Sequence, residues 1–447
     1  MNKKIILLIL YFTSPAILTT AIYSTNTTRY GQLNIFIPMM LGAAAYTWLC
    51  IEFVLIARVK MMEKSIGQDR FYKFHGIMAL VSVVLAFIHK ILQGNMMGES
   101  LKTTLGDISI YIFIAITVLS FVFMAEMLVL KVNPLMKMKR FAQKLKVFSY
   151  KYQRLLHNLT TIAITLLLAH VLLTTTSRVS LLVRVIYIVY FIVAISAYIY
   201  FKFLKPLMRS DMKFIVKAVK QESDNMWTIE MVPQSKTIFK YEAGQFGFIK
   251  IYGEDISKEE HPFSISSQPE NKEFISITVK ELGDYTSTIN NVKPGYRAIV
   301  DAPYGNFTLR EIRHDEELVL LAGGVGITPV MSLLRYMSQM DKDRKVLLLW
   351  GIKNPNEMIW HKEFDQILET MKNLSIVPVM SMDNTWEGEK GFLTQDKIMK
   401  HMKEKGISAD KAHFYICGPA IMVDMVLKGL KSIKVNKSNI HFERFSL

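Results

Sequence analysis

Six apolar runs, each roughly 20 residues long and so able to cross about 30 Å of hydrocarbon as a helix, occupy the first half of the chain. They span residues 5–23, 35–57, 74–92, 108–130, 155–173 and 181–200. In lipid a backbone must satisfy its own hydrogen bonds, and uninterrupted apolar runs do so as helices. The expectation for residues 1–207 is therefore an all-α, six-pass domain set in a lipid bilayer.

The charges support that reading and give it a direction. Residues 1–210 carry 23 Lys and Arg against 6 Asp and Glu, whereas the remainder carries 31 against 32. An excess of this size suits nucleic acid when it lies on a soluble face, but here it sits between apolar runs, so no nucleic-acid partner is expected. Eighteen of the 23 basic residues fall at Lys3 and Lys4, in 58–73, in 131–154 and in 202–209. By the positive-inside rule these are the cytoplasmic ends. Both termini are then cytoplasmic in a multi-pass protein of the cell membrane. Lys3, Lys4 and the run after them also have the form of a secretory signal, but the run is long and lacks a small-x-small cleavage site. Cys50 and Cys417 are the only cysteines, too few and too far apart for a Cys-rich metal or iron–sulfur pattern.

Histidine makes the membrane half specific. Residues 1–210 contain four, His75 and His89 on the third run and His157 and His170 on the fifth. With both runs crossing in the same direction, His75 faces His157 at one level and His89 faces His170 at another, about 20 Å away at 1.5 Å per residue. The arrangement suits two stacked haems, each held by one imidazole from each helix. Zinc is the competing metal, but ligands on two such levels cannot form one tetrahedral site. Bis-histidine ligation fills both axial positions and implies an electron relay. The spacing of 14 returns close to the same helical face, but 13 falls about 140° short of four turns. Either the fifth helix is locally overwound or its histidines approach from different sides. Glu52 and Glu126, within runs two and four, are candidates for a functional or an interfacial structural role.

After Met208 short alternating strands at 214–218, 227–232, 246–251 and 274–279 predict a small antiparallel barrel. It carries His261-Pro262-Phe263-Ser264 and Lys280-Glu281-Leu282-Gly283-Asp284-Tyr285-Thr286. Each alone has an ordinary structural reading, a strand start and a helix cap; together they suit a flavin wall and an anion site at a helix N-terminus. From Glu317 strands at 318–321, 346–350, 376–380 and 414–416 alternate with helices, predicting a parallel sheet. Its first strand leads into Gly323-Gly324-Val325-Gly326-Ile327-Thr328-Pro329, a turn whose amides can approach a pyrophosphate. Its last delivers Cys417-Gly418-Pro419 at the end where such sheets bind ligands.

This ordered set of motifs, from about Phe74 onward, resembles the NADPH oxidase and ferric reductase superfamily, especially its bacterial NADPH oxidase-like members. The resemblance implies a ferredoxin-reductase-like cytoplasmic module, with an FAD-binding β-barrel over residues 208–312 and an NAD(P)-binding α/β domain over 313–447. It implies FAD, two haem b groups and NADPH or NADH as cofactors. Ser264 is expected near the flavin N5, with His261 and Lys280 towards phosphate or ribityl groups and Pro262 and Phe263 among the FAD-binding residues of the same motif. Gly283 and Thr286 fall to the pyrophosphate. Gly323, Gly324, Gly326, Thr328 and Pro329 fall to NAD(P)H, with Gly418 and Pro419, while Cys417 lies near the hydride path. Phe445 corresponds to an aromatic that covers the flavin. After the second and third strands stand Lys353, suited to a 2′-phosphate, and Asp383, which repels one. The activity implied is a transmembrane NAD(P)H oxidase delivering electrons to O2 as superoxide, or a ferric-chelate reductase using the same path. The connections 24–34 and 94–106 lack the carboxylate or histidine cluster of a dedicated iron site, which favours the oxidase. No calcium-binding extension or activator segment is visible, so no obligatory protein activator is expected.

Overall fold

The structure, a computed structural model, describes residues 3–26, 33–56, 68–94, 100–123, 155–235, 238–257 and 259–445. It divides into two compact units, Met1–Lys205 and Pro206–Leu447. Glu126 and the basic stretch 131–154 lie outside the described residues.

The first unit is helical: α1 (Lys3–Thr13), α2 (Pro15–Asn26), α3 (Leu33–Ile56), α4 (Gln68–Gly94), α5 (Leu101–Phe123), α6 (Thr160–Leu172), α7 (Thr175–Val179) and α8 (Leu181–Ile199). Among the described residues, six helical spans are long and apolar enough to cross a membrane. Three differ from expectation. The first run is two helices, because Pro15 cannot donate to the preceding turn and the Ser14 hydroxyl takes Tyr11 O at 2.6 Å instead. The fourth begins at Leu101 rather than 108, taking in Lys102 and Asp107, whose charge is met by Lys90 at 2.9 Å. The fifth is interrupted at Asn158 and Leu159. There Asn158, Leu159 and Thr161 N–H groups donate three residues back, at 3.1, 2.9 and 3.0 Å. Such tight winding advances about 120° per residue rather than 100°, so the helix is overwound next to His157.

Burial on α4 follows the helical period. Met78, Ser82 and Val83 are buried on the side of the two histidines, whereas Ile77, Leu80, Val84, Ile88 and Ile91 form an exposed apolar stripe. An apolar stripe of this kind is what a lipid-facing surface requires. Inside, Tyr46, Cys50, Ala163, Ile164 and Tyr187 share one core, with the Tyr46 hydroxyl donating to Tyr187 O at 2.8 Å.

The second unit holds two sheets. The first is antiparallel in the order β4-β3-β6-β1-β2-β5, from β1 (Lys213–Ser223), β2 (Met226–Pro233), β3 (Phe246–Tyr252), β4 (His261–Ser264), β5 (Ile275–Lys280) and β6 (Arg297–Tyr304). A bridge between Ile265 and Ile277 links its outer strands, closing the expected barrel around Phe214, Ile229, Ile249, Ile277 and Val300. The second is ordered β10-β9-β8-β7-β11-β12, from β7 (Leu318–Gly323), β8 (Val346–Ile352), β9 (Leu374–Met380), β10 (Glu389–Lys390), β11 (His413–Pro419) and β12 (Ile440–Phe445). All its pairings are parallel. Leu318 and Leu320 enter one core and Val319 and Leu321 the other, as a sheet covered on both faces demands. The helices around it are α9 (Ile327–Met340), α10 (His361–Thr370), α11 (Gln395–Glu404) and α12 (Ala420–Ser432). Strands β6, β10 and β12 lie outside the strands that alternation in the sequence predicts.

Candidate active site: two imidazole pairs and a nucleotide cradle

The four histidines meet in the expected pairs. Ring centroids of His75 and His157 lie 6.3 Å apart, and those of His89 and His170 lie 6.4 Å apart. A metal–imidazole bond is about 2.0–2.1 Å and the ring centre lies roughly 1.1 Å behind the nitrogen, so two axial imidazoles on one metal have centres about 6.3 Å apart. Both pairs match that separation.

The other ring nitrogen of each histidine is occupied. His75 Nδ1 contacts Glu52 Oε2 at 2.5 Å, His89 Nδ1 reaches Pro38 O at 2.7 Å, His170 Nδ1 reaches Lys102 O at 2.8 Å and His157 Nδ1 is 3.3 Å from Ser120 Oγ. The Glu52 carboxylate and the two carbonyls only accept, so His75, His89 and His170 are held with Nε2 as the free electron pair, as metal-ligating histidines are, whereas Ser120 Oγ can take either role at His157. Glu52, only 5% exposed, is thus a partner of His75 rather than an interfacial anchor. Two glycines make the distal contacts possible. A Cβ on Gly42 would stand 2.8 Å from His89 Nδ1, and one on Gly106 would stand 2.7 Å from His170 Nδ1. Each glycine is four residues beyond the carbonyl its histidine uses, so one missing side chain per helix opens the way to Pro38 O or Lys102 O. Sequence reading missed both; glycine within an apolar run was the available signal.

In the barrel, His261 stacks on Tyr285 with centroids 4.0 Å apart, and Phe263 lies 6.2 Å from the same ring. Tyr285 therefore ties together the two motifs of the flavin wall; burial raises its hydroxyl pKa. Pro262 is exposed. Ser264 is 5% exposed and its Oγ has no hydrogen-bond partner. A buried orphan hydroxyl is costly unless a ligand atom completes it, so Ser264 fits a polar ring edge. The Thr286 hydroxyl accepts from Leu282 N and Gly283 N, each at 2.9 Å, and opens a 3-10 segment of six residues rather than the expected helix. Lys280 also differs from expectation. Its Nζ lies 2.6 Å from Glu357 Oε1, buried, while Glu357 Oε2 accepts Lys353 N at 3.2 Å. A buried cation is stable only when paired, and Glu357 supplies the partner from the 3-10 turn Pro355–Glu357 that follows β8.

At the C-terminal edge of that sheet the glycine turn is held from three sides. A Cβ on Gly326 would fall 2.2 Å from Cys417 O, and one on Gly323 would fall 2.5 Å from Met422 Sδ. Trp350 Nε1 donates to Gly324 O at 3.0 Å, an anchor that sequence reading missed. Gly324 adopts φ +52° with open space around it, and Thr328 Oγ1 donates to Val325 O at 2.6 Å. Thr328 and Pro329 are buried in the first turn of α9, whose N-terminal amides suit a phosphate. Cys417 is fully buried, with Gly418 and Pro419 after it. Phe445 pairs in register with Pro419. The same edge approaches the barrel: Gly305 packs against Phe246, the register partner of Ser264, and against Glu443. Ser264, Cys417 and Phe445 are thereby brought to one region. Lys353 is exposed, and Asp383 accepts from Thr385 N and Oγ1 at 2.8 and 2.6 Å, bonds that lower its pKa.

Three known families match successive parts of the chain. Residues 41–168 match the family described as ferric reductase like transmembrane component, 211–308 an FAD-binding domain and 320–428 an oxidoreductase NAD-binding domain. The Na(+)-translocating NADH-quinone reductase of Idiomarina loihiensis has a polypeptide that is 28% identical over 216 residues, 45% of this chain and 52% of that protein. The propane 2-monooxygenase reductase component of Mycolicibacterium smegmatis is 25% identical over 245 residues, 53% of this chain and 68% of that protein. The chain spans about half the length of the first curated relatives it matches. Among solved structures, the flavohem-like FAD/NAD-binding domain of a Vibrio cholerae nitric oxide dioxygenase is 24% identical, covering 53% of this chain and 99% of that one at a TM-score of 0.47.

The chain joins a ferric-reductase-like transmembrane component to an FAD-binding domain and an oxidoreductase NAD-binding domain. Its three domains in this order are the architecture of the NADPH oxidase and ferric reductase superfamily.

Proposed function

We propose that the chain is a transmembrane NAD(P)H oxidase with FAD and two b-type haems as resident cofactors. One NAD(P)H and two O2 give NAD(P)+, a proton and two superoxide ions, with the nucleotide oxidised in the cytoplasm and O2 reduced on the outer side of the cell membrane. The carrying observation is the pair of imidazole separations, 6.3 and 6.4 Å, with each Nδ1 already occupied.

His75 and His157 hold the haem on the cytoplasmic side, and His89 and His170 the outer one. Their levels are about 21 Å apart along α4. Ser264, His261, Phe263 and Thr286 bind FAD, and Phe445 shields it from water. Gly324, Gly326 and Thr328 seat the nucleotide phosphates, Cys417 lines the nicotinamide end, and Lys353 attracts a 2′-phosphate. Bound there, FAD supplies conversion of two-electron hydride chemistry into one-electron transfer, and bis-imidazole haem supplies the relay across the bilayer. The basic residues at 58–73 and 202–209 support the cytoplasmic placement of the soluble unit.

The test is turnover of purified protein under air and, with ferric chelate, under argon. The oxidase consumes NAD(P)H in air and reduces cytochrome c in a dismutase-sensitive manner. Negligible turnover in air with sustained anaerobic reduction of ferric chelate makes the protein a metal reductase instead. His75→Ala or His157→Ala removes one haem and leaves flavin reduction intact; unchanged haem in both overturns the ligand assignment.

A further inference from the structure

The four histidines are alike in pairing but not in what stands behind them. Among the described residues, three have neutral partners at Nδ1: the carbonyls of Pro38 and Lys102 and the hydroxyl of Ser120. His75 alone faces a carboxylate, Glu52 Oε2 at 2.5 Å. Glu52 comes from α3, and its other oxygen accepts the Tyr11 hydroxyl at 2.6 Å, from the end of α1. Tyr11 is stacked on Trp48 and meets Phe74 edge-on, and with Leu55, Phe71 and Met78 it forms an apolar packet. The carboxylate is thus held by a donor on each oxygen, in surroundings of low polarity.

We propose that Glu52 is a positioning residue that sets the reduction potential at the His75–His157 pair below that at the His89–His170 pair, so that electrons run downhill from one level to the next. This rests on the bis-histidine haem reading above. A carboxylate accepting Nδ1–H raises the basicity of the imidazole and strengthens its donation to the metal. A negative charge close by in a poorly screened interior also favours the more positive, ferric state over the ferrous one. Both effects lower the potential; at the other pair no carboxylate sits on an imidazole nitrogen, and the side-chain charges of Asp107 and Lys102 act on His170 in opposite senses. Carbonyl acceptors orient His89 and His170 without adding charge. The equilibrium concerned is one electron shared between two iron couples, with no covalent bond made or broken.

Tyr11 acts in the opposite sense. Its hydroxyl draws on the same carboxylate, so removing that donor leaves Glu52 a stronger acceptor for His75.

The test is a spectroelectrochemical titration of the full-length haem-loaded protein in lipid nanodiscs. Wild type resolves into two components. In Glu52→Gln, which keeps the shape without the charge, the lower component moves up by about 59 mV, a tenfold change in a one-electron equilibrium. The upper component stays. Glu52→Asp returns the lower component towards the wild-type value, and Tyr11→Phe moves it further down. Both potentials unmoved in Glu52→Gln with both haems present overturns the proposal, as does one unresolved component in wild type. Should Glu52→Gln lose a haem, Tyr11→Phe decides: a downward shift supports the proposal, and no shift or an upward one overturns it. Wild-type protein that binds no haem fails the functional reading itself, a result separable from a haem whose potential ignores Glu52.

Discussion

Gly106 and His170 are in contact so close that a single methyl group does not fit between them: a Cβ on Gly106 would stand 2.7 Å from His170 Nδ1. The same holds for Gly42 and His89 at 2.8 Å. An alanine at either position pushes the imidazole off its carbonyl and tilts Nε2 away from its partner. Gly106→Ala and Gly42→Ala are each expected to weaken retention of one haem by about 10–100-fold, the usual effect of losing an outer-shell partner. Pyridine haemochrome content per flavin measures this, and flavin reduction by NAD(P)H is the internal control. Full haem content in both variants shows that the glycines are packing residues only.

Ser264 contributes a hydroxyl that is buried and without a partner. In the proposed site it completes a hydrogen bond to the reacting edge of the flavin. Ser264→Ala then removes one hydrogen bond, worth roughly 0.5–1.5 kcal/mol, and slows flavin reduction by up to about tenfold. FAD content is expected to hold, because the stacked His261 and Tyr285 remain. Stopped-flow reduction by NAD(P)H reads the rate; one equal to wild type removes Ser264 from the reacting edge.

Gly326 tolerates nothing larger, since a Cβ would sit 2.2 Å from the carbonyl oxygen of Cys417, a backbone atom inside a parallel sheet. Gly326→Ala must displace either β11 or the glycine turn. The expected result is an apparent KM for NAD(P)H raised by about tenfold or more, since an overpacked contact costs about 1–3 kcal/mol. Bound FAD should be unchanged. A KM within twofold of wild type contradicts a cradle built on this contact.

Much of this was legible in the sequence because the signals were periodic or local. Apolar runs announced the membrane helices, and four histidines at two spacings announced the pairs. The glycine turn and His261-Pro262-Phe263-Ser264 announced the soluble site. What was not legible depends on contacts between distant segments. Lys280 reads as a phosphate ligand in its motif, but Glu357 lies 77 residues further along and claims it. Nothing near Glu52 indicates that His75 and Tyr11 will meet its two oxygens. Local overwinding of the fifth helix was one of two alternatives that the sequence offered, but its position at Asn158 escaped because no proline or glycine marks it. The sequence did show the angular mismatch that the tight turn relieves. Strand β12 lacks an apolar run, with His441, Glu443 and Arg444 among its six residues, and it forms because β11 offers it an edge.

That last strand carries a pH dependence. His441 is stacked on Tyr415, centroids 4.5 Å apart and planes 16° apart, and its Nε2 lies 3.3 Å from Nδ1 of His413. Burial, reinforced by the neighbouring His413, lowers its pKa from 6.5 to about 4. In the unfolded chain a histidine titrates near 6.5, so between these values the unfolded state binds a proton that the folded state does not. Stability therefore rises with pH across that window: the contribution is complete above about pH 6.5 and is lost as the pH falls towards 4. A depression of this size is worth about 3 kcal/mol at most. Intrinsic fluorescence reports the soluble unit through Trp227, Trp350, Trp360 and Trp386. Its apparent Tm in full-length protein is expected to fall steadily from pH 6.5 to 4.5. His441→Phe keeps the stack on Tyr415 and cannot take the proton, so its profile should be flatter over the same range. An equally steep acid loss in the variant places the titrating group elsewhere.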